Sequence, residues 1–276
     1  MLEKARSIPA DEIVIDLEDA VAPADKTDAT RQRVATAVLA GEWRAPTIAV
    51  RVNAPRSQWF MDDLDQVVQA AGEAIDCIVV PKVESVDDVA MVAELLDSRG
   101  PSIGLEVQIE SARGMVEVER IAGASPRVEA LVFGPADYAA SLGIPQPDIG
   151  AINPAYPGDQ WHYARSRIAV AAHAYGLDAI DGPFAALQDA DGLRESALRA
   201  QLLGFGGKWV IHPDQVGVCN EVFAPSPEEV ARAARVLDAL QEANTRGAGA
   251  ASLDGMMIDE ASRKLAEALL ARRQEG

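Results

Sequence analysis

SIGLEVQIESARGMVEVERIAGASPRVEALVFGPADYAASLGI, residues 102–144, contains two apolar runs that each end in a carboxylate, Glu110 and Asp137. The first run, IGLEVQIE, alternates and carries β-branched residues, and the second, ALVFG, is short and nearly continuous. Between them, SARGMVEVERIAG places its apolar residues at helical spacing. That is a strand-helix-strand unit. Parallel strands that each present an acid at the carboxyl end bring both acids to the face where α/β sheets bind ligands.

Outward from this unit the pattern repeats. Strand-like runs fall at 12–18, 47–53, 77–83, 102–110, 130–138, 177–184 and 207–213, separated by helical segments such as SQWFMDDLDQVVQAAG, SVDDVAMVAELLDSRG, WHYARSRIAVAAHAYG and DADGLRESALRAQLLGFG. Strict alternation predicts a parallel sheet with crossover helices, and the length suits an α/β (β/α)8 TIM barrel. Seven strands leave such a barrel one short. Residues 1–6, MLEKAR, read as the interior of a helix with no N-cap, so the expectation is that the first strand is missing from this sequence. A doubly wound open sheet is the competing architecture.

Composition narrows the partners. The formal net charge of −18 repels a phosphate backbone, which excludes nucleic acid. No apolar run reaches a membrane span, and the start lacks a signal pattern. Cys77 and Cys219 form neither a CxxC nor a secreted framework and read as reduced thiols, which places the protein in the cytoplasm.

After His212-Pro213 the alternation stops. Ser226-Pro227-Glu228-Glu229 is a helix entry with Ser as N-cap, Pro at N1 and Glu at N3, and the helix runs to about Asn244. Gly247, Gly249 and neighbouring alanines form a flexible joint before SLDGMMID and a final helix, DEASRKLAEALLARRQEG. The division is a barrel over 1–224 and a helical extension over 225–276. The extension is either a lid or arm reaching a neighbouring subunit, or a helix packed on its own barrel.

Two carboxylates facing one pocket either share a proton or bind a hard cation, and Mg²⁺ suits Glu110 and Asp137 better than Ca²⁺ because it keeps waters or substrate in its remaining positions. Glu110 as a helix cap or a partner of Arg113 is the structural alternative. In Gly134-Pro135-Ala136-Asp137 the amides of Gly134, Ala136 and Asp137 can turn inward to hold a carboxylate, with a helix start around Tyr138 to Ser141 adding its positive end. Asp16, Glu18 and Asp19 follow a strand as a group suited to the waters of a metal. Arg51 at a strand end needs an anion, which is Glu18, Asp19 or a substrate oxygen. Lys82 is either a Schiff-base lysine or, better, an ion-pair partner of Glu84 or the acid cluster. His212 is a base or, more simply, a hydrogen-bonded turn residue, and His162 and His173 lie in a helix and read as structural.

At these residues the sequence resembles the HpcH/HpaI aldolase and citrate lyase β-subunit superfamily, through DLEDAVAPADK, VRVN, VVPKVES, LEVQIESARG, FGPADYAASLG, AIDGPF, LGFGGKWVIHPDQV and GMMID. WHYARSRI, IDGPF and SLDGMMID are most similar to the malyl-CoA and β-methylmalyl-CoA lyases. The resemblance implies a (β/α)8 barrel, a homo-oligomer (trimer or hexamer), and Mg²⁺, with Mn²⁺ as a substitute, acting on a coenzyme A thioester. It also implies metal ligands at Glu110 and Asp137, a substrate arginine at Arg51, an acid-base aspartate from a neighbouring subunit at Asp259, with Asp254 as competitor, and a coenzyme A contact at Lys4. The implied reaction is reversible cleavage of a 3-hydroxyacyl-CoA to acyl-CoA and glyoxylate. The alternatives are citramalyl-CoA cleavage, malyl-CoA hydrolysis, a partner acting only on an acyl carrier protein thioester, and a degenerate paralogue.

Overall fold

The computed structural model describes residues 2–99, 102–145 and 148–275, in two compact units, Met1–Cys219 and Asn220–Gly276. Met1, Gly100 and Gly276, which end three predicted segments, lie outside the described residues. In the first unit a short helix α1 (Leu2–Ala5) precedes β1 (Glu12–Asp16) and α2 (Asp28–Leu39). Next come β2 (Thr47–Arg51), then α3 (Phe60–Asp63), a π-helical turn over Leu64–Val68 and α4 (Gln69–Ala71). β3 (Cys77–Val80) leads to α5 (Val86–Asp97), β4 (Gly104–Ile109) to α6 (Ala112–Val116) and α7 (Val118–Ala122), and β5 (Val128–Phe133) to α8 (Pro135–Leu142) and α9 (His162–Tyr175). β6 (Asp178–Asp181), α10 (Ala190–Leu202), β7 (Gly207–Lys208) and α11 (Val216–Phe223) complete the alternation.

All seven strands are parallel and pair in chain order, β1 to β7, with no pairing of β1 to β7 among the described residues. The register sorts the two faces. Ile13, Ile15, Ile48, Val50, Ile78, Val80, Leu105, Val107, Ile109, Leu131 and Phe133 share one face, and most of them have no exposed surface at all. This is the face the crossover helices cover, and each such side chain removed from water contributes roughly 1.5–3 kcal/mol. The opposite face carries Val14, Ala49, Cys77 and Val79, packed together with Trp209, and a column of polar residues on β4 at Glu106 and Gln108 that continues to Glu110. Segments that alternate in sequence therefore do so because one side meets helices and the other the sheet interior.

Three segments depart from the sequence expectation. The run 207–213 is a strand only at Gly207–Lys208, after which the Trp209 amide bonds to the Asp181 carbonyl (2.8 Å) and the chain turns. SARGMVEVERIAG is two helices broken at Glu117 rather than one. The helix after β5 starts at Pro135, three residues earlier than expected, since Pro is preorganised for N1.

Toward the amino-terminal ends of the strands, the carboxyls of Glu12 and Glu106 face one another, and neither Glu12 Oε1 nor Glu106 Oε2 has a hydrogen-bond partner among the described residues. Burial raises Glu106 well above the usual carboxylate range, helped by the charges of Glu12, Glu129 and Asp178. A folded-state pKa above the unfolded one gives stability that is complete below about pH 4 and is lost as pH rises. Glu106→Gln is therefore expected to raise Tm at pH 8 by roughly 2–4 °C, about 1 kcal/mol in a chain of this size, and to leave it unchanged at pH 4. An equal shift at both pH values in calorimetric scans would mean that packing, not ionisation, sets the effect.

In the second unit α12 (Pro227–Thr245) begins with the capping box read from the sequence: Ser226 Oγ accepts from the Glu229 amide (3.2 Å), and Glu229 Oε2 from the Ser226 amide (2.8 Å). The stretch SLDGMMID forms an antiparallel hairpin, β8 (Ala251–Leu253) and β9 (Met256–Ile258), before α13 (Glu260–Glu275). Asp254 and Gly255 both take positive φ, the two-residue turn for which Asp-Gly is a strong signal. No helix among the described residues is long and apolar enough to cross a membrane.

Candidate active site

Five successive strands deliver charged side chains to the same end of the sheet. Asp16 ends β1, with Glu18 and Asp19 just beyond; Arg51 ends β2; Lys82 follows β3; Glu110 follows β4; and Asp137 occupies the third position of α8 after β5. Because the strands are parallel and in order, these residues converge as carboxyl-end residues of a barrel sheet do. A cleft of about 420 Å³ is lined by Ala54, Arg56, Lys82, Glu110, Ser111 and Asp137, among others.

Arg51 finds Asp16, not the Glu18 or Asp19 expected from sequence, as its main partner. Nε donates to Asp16 Oδ1 (2.8 Å) and Nη2 to Oδ2 (2.6 Å), a bidentate pair that neighbouring strand ends in register make possible. Burial alone would raise the Asp16 pKa; the hydrogen bond and charge of Arg51 outweigh it and hold Asp16 below the usual range. Nη1 keeps only long contacts, 3.4 Å to Glu18 Oε2 and 3.5 Å to Gln108 Oε1, and the guanidinium lies 5.6 Å from the Trp209 ring centroid. Neither Gln108 nor Trp209 stands out as a site residue in the sequence. The signal for Gln108 was its parity with Glu110 in an alternating strand; Trp209 had none, because its approach depends on the turn after Lys208.

Lys82 is paired with the acid cluster: Nζ donates to Glu18 Oε1 (2.7 Å) and lies 3.6 Å from Asp137 Oδ2 and 3.9 Å from Asp19 Oδ1. Glu84, the other partner considered, is taken by Arg56 (2.9 Å), which also pairs with Asp88. Glu110 is 3% exposed and accepts the Lys82 amide on Oε1 (2.7 Å). Burial first, and then the charges of Glu18 and Asp137, push its pKa up to about 8. It sits one residue before Ser111, which caps α6 through the Gly114 amide, so Glu110 itself is free of the capping role. A Cβ on Gly134 would stand 2.4 Å from Glu110 Cβ, so only glycine lets the β5 exit lie against this carboxylate.

The amides after β5 divide. Gly134 donates to the Ile109 carbonyl (3.1 Å), so its N–H is not turned inward as expected, and Pro135 has none. The amides of Ala136 and Asp137 have no acceptor among the described residues, and they open α8, where an anion is favoured. Around the cluster Asn53 ties the strand exits together, with Nδ2 donating to the Leu17 carbonyl (3.0 Å) and to Asp63 (2.6 Å), and Asp63 pairing with buried Arg31 (2.8 Å).

Other candidates lie elsewhere. His212 accepts from the Asp214 amide through Nδ1 (3.2 Å) as a turn cap, and His173 Nε2 bonds to the Gly204 carbonyl (2.8 Å). Lys4 is exposed on α1; the following Arg6 stacks on Trp43 and its carbonyl accepts from the Arg44 amide, which precedes β2. Lys4 thus lies toward the amino-terminal ends of the strands, opposite to Glu110 and Asp137. Asp259 belongs to the second unit, where its Oδ1 accepts from the Ala261 (3.0 Å) and Ser262 (3.3 Å) amides and caps α13; Asp254 pairs with Arg235 (2.6 Å).

The donor set, hard carboxylate oxygens converging with excess negative charge, suits a hard divalent cation, and a model for the HpcH/HpaI aldolase/citrate lyase family matches residues 1–213. The chain belongs to this family. An L-malyl-CoA/beta-methylmalyl-CoA lyase of Cereibacter sphaeroides is 38% identical over 98% of this chain and 89% of its own. A (3S)-malyl-CoA thioesterase of the same species is 37% identical over 94% of this chain and 85% of its own. Among solved structures, the protein CitE of Mycobacterium tuberculosis, in complex with magnesium, acetoacetate and coenzyme A, is 31% identical with a TM-score of 0.76, over 96% of this chain and 91% of that one. The family fold is the α/β barrel expected from the sequence.

Proposed function

We propose that this protein reversibly cleaves malyl-CoA or β-methylmalyl-CoA to an acyl-CoA and glyoxylate with the help of Mg²⁺. It is a carbon-carbon lyase, and its similarity to malyl-CoA lyases extends over nearly the whole chain. The observation that carries the reading is the placement of Glu110 and Asp137 on one cleft beside Lys82, with Arg51 on the same acid cluster. Glu110 and Asp137 would hold the cation. When bound, Mg²⁺ supplies Lewis acidity that lowers the pKa of the substrate hydroxyl.

The chain does the rest. As the hydroxyl proton passes to solvent water, the bond between its carbon and the thioester α-carbon breaks, the C–O bond becomes the carbonyl of glyoxylate, and the electron pair passes into the thioester enolate. Nη1 of Arg51, without a short protein acceptor, stabilises the enolate oxygen, a contribution of roughly 2.7–4 kcal/mol for such donors. The amides of Ala136 and Asp137 orient the carboxylate of the 2-oxo acid. Asp259 donates a proton to the α-carbon and removes it in condensation. Asp16, Glu18 and Asp19 fix Arg51 and the water around the cation. The second unit brings Asp259 to a neighbouring copy in a homo-oligomer, a trimer or hexamer, and the enzyme works in the cytoplasm, where Cys77 and Cys219 stay as thiols.

Hydrolysis of malyl-CoA is the second reading, supported by the thioesterase relative. Incubating the protein with acetyl-CoA, glyoxylate and Mg²⁺ separates them by product. Accumulating malyl-CoA is expected; free malate with coenzyme A assigns the thioesterase, and turnover with pyruvate but not glyoxylate assigns citramalyl-CoA. Omitting Mg²⁺ is expected to stop the reaction, and Mn²⁺ to restore it in part.

A further inference from the structure

Lys82 touches more of the acid cluster than any group that the reaction uses. Its φ of +54° is a left-handed conformation that residues other than glycine rarely take, and strain of this kind concentrates at ligand sites. That backbone turns its amide onto Glu110 and its ammonium onto Glu18, Asp19 and Asp137. Among the described residues, Lys82 is the only ion-pair partner of Asp137, since Arg51 is committed to Asp16 and Arg56 to Glu84 and Asp88. The ammonium also has room to move: the side chain is 40% exposed, lines the cleft, and carries its point charge on a flexible stem.

We propose that Lys82 is the resident counter-ion of the metal site, competing with the divalent cation for Asp137 and swinging away from it within the cleft when the cation enters. This rests on the reading that Glu110 and Asp137 hold the metal. The physical ground is that two like charges near one carboxylate repel strongly at the short separations involved, while carboxylates left without either cation repel one another. Lys82 therefore keeps the acids together before the metal arrives and limits how tightly the metal binds.

The test uses the full-length chain stripped with EDTA, Mn²⁺ as the probe, and calorimetry or paramagnetic resonance without substrate. Lys82→Met is expected to tighten Mn²⁺ binding about tenfold, to lower Tm in EDTA, and to leave Tm in saturating Mn²⁺ near that of the parent. Lys82→Arg, which keeps the charge in a fork that locks onto carboxylates, is expected to weaken Mn²⁺ binding and covers the case in which the Met variant does not fold. Unchanged or weaker Mn²⁺ binding by Lys82→Met, or unchanged binding by Lys82→Arg where the Met variant does not fold, overturns the proposal. Glu110→Gln separates the two ideas: if it abolishes Mn²⁺ binding while Lys82→Met fails to tighten it, the counter-ion role falls and the metal site stands. If the parent itself binds no Mn²⁺, both fall.

Discussion

Asp259→Asn is expected to reduce kcat by roughly 10²–10⁴-fold, the range for loss of a positioned general acid-base group. The substitution isolates chemistry from folding. Asp259 caps α13 through Oδ1, and Asn is as good an N-cap as Asp, so the loss in stability stays below about 1 kcal/mol. Binding of Mg²⁺ and of the 2-oxo acid is expected to persist, because the groups assigned to both lie in the first unit. Steady-state kinetics with calorimetric binding on the same preparation decides it; unchanged turnover would remove Asp259 from the mechanism. Mixing Asp259→Asn chains with Arg51→Ala chains is expected to restore part of the activity in hybrid oligomers. An absence of complementation would mean that each chain supplies its own acid.

Glu110→Gln is expected to abolish Mg²⁺-dependent turnover and to make the EDTA-treated protein more stable at neutral pH. The sign follows from burial. Glu110 is driven from 4.5 up to about 8, so the folded parent prefers the protonated carboxyl. Its contribution is complete below about pH 4 and is lost as pH rises toward 8, which the neutral amide avoids. The gain at pH 8 is roughly 3–5 kcal/mol at most by linkage, and the amide still accepts from the Lys82 backbone. Denaturant titrations from pH 5 to 8 should show the two proteins diverging in EDTA and the parent recovering with Mg²⁺. Parallel curves in EDTA would show that Glu110 is already ionised in the fold.

These two residues show what sequence made visible. Glu110 and Asp137 were readable because each terminates an apolar run, and the position of an acid just past a parallel strand fixes its end of the sheet. Asp16, Glu18, Asp19, Arg51 and Lys82 were found by the same rule. Their pairings were not. Residues 16, 18 and 19 are all acids within reach in the chain, and only the β1 to β2 register, which sets Asp16 beside Arg51, selects the bidentate partner. The same limit hid the interior acids, since Glu12 and Glu106 lie in different strands and become neighbours only when the sheet curls.

By itself the sequence determined the alternating parallel architecture, the capped start of α12 and which acids stand at the carboxyl ends, because periodicity, caps and strand ends are local properties. Tertiary structure decided the rest: that Lys82 joins Glu18 and Asp137, that Trp209 lies over Arg51, that Gly134 yields room to Glu110, and that SLDGMMID folds back as a hairpin ahead of Asp259. Charge pairing and burial depend on which distant segments share a few ångströms of space, and packing sets that distance rather than position in the chain.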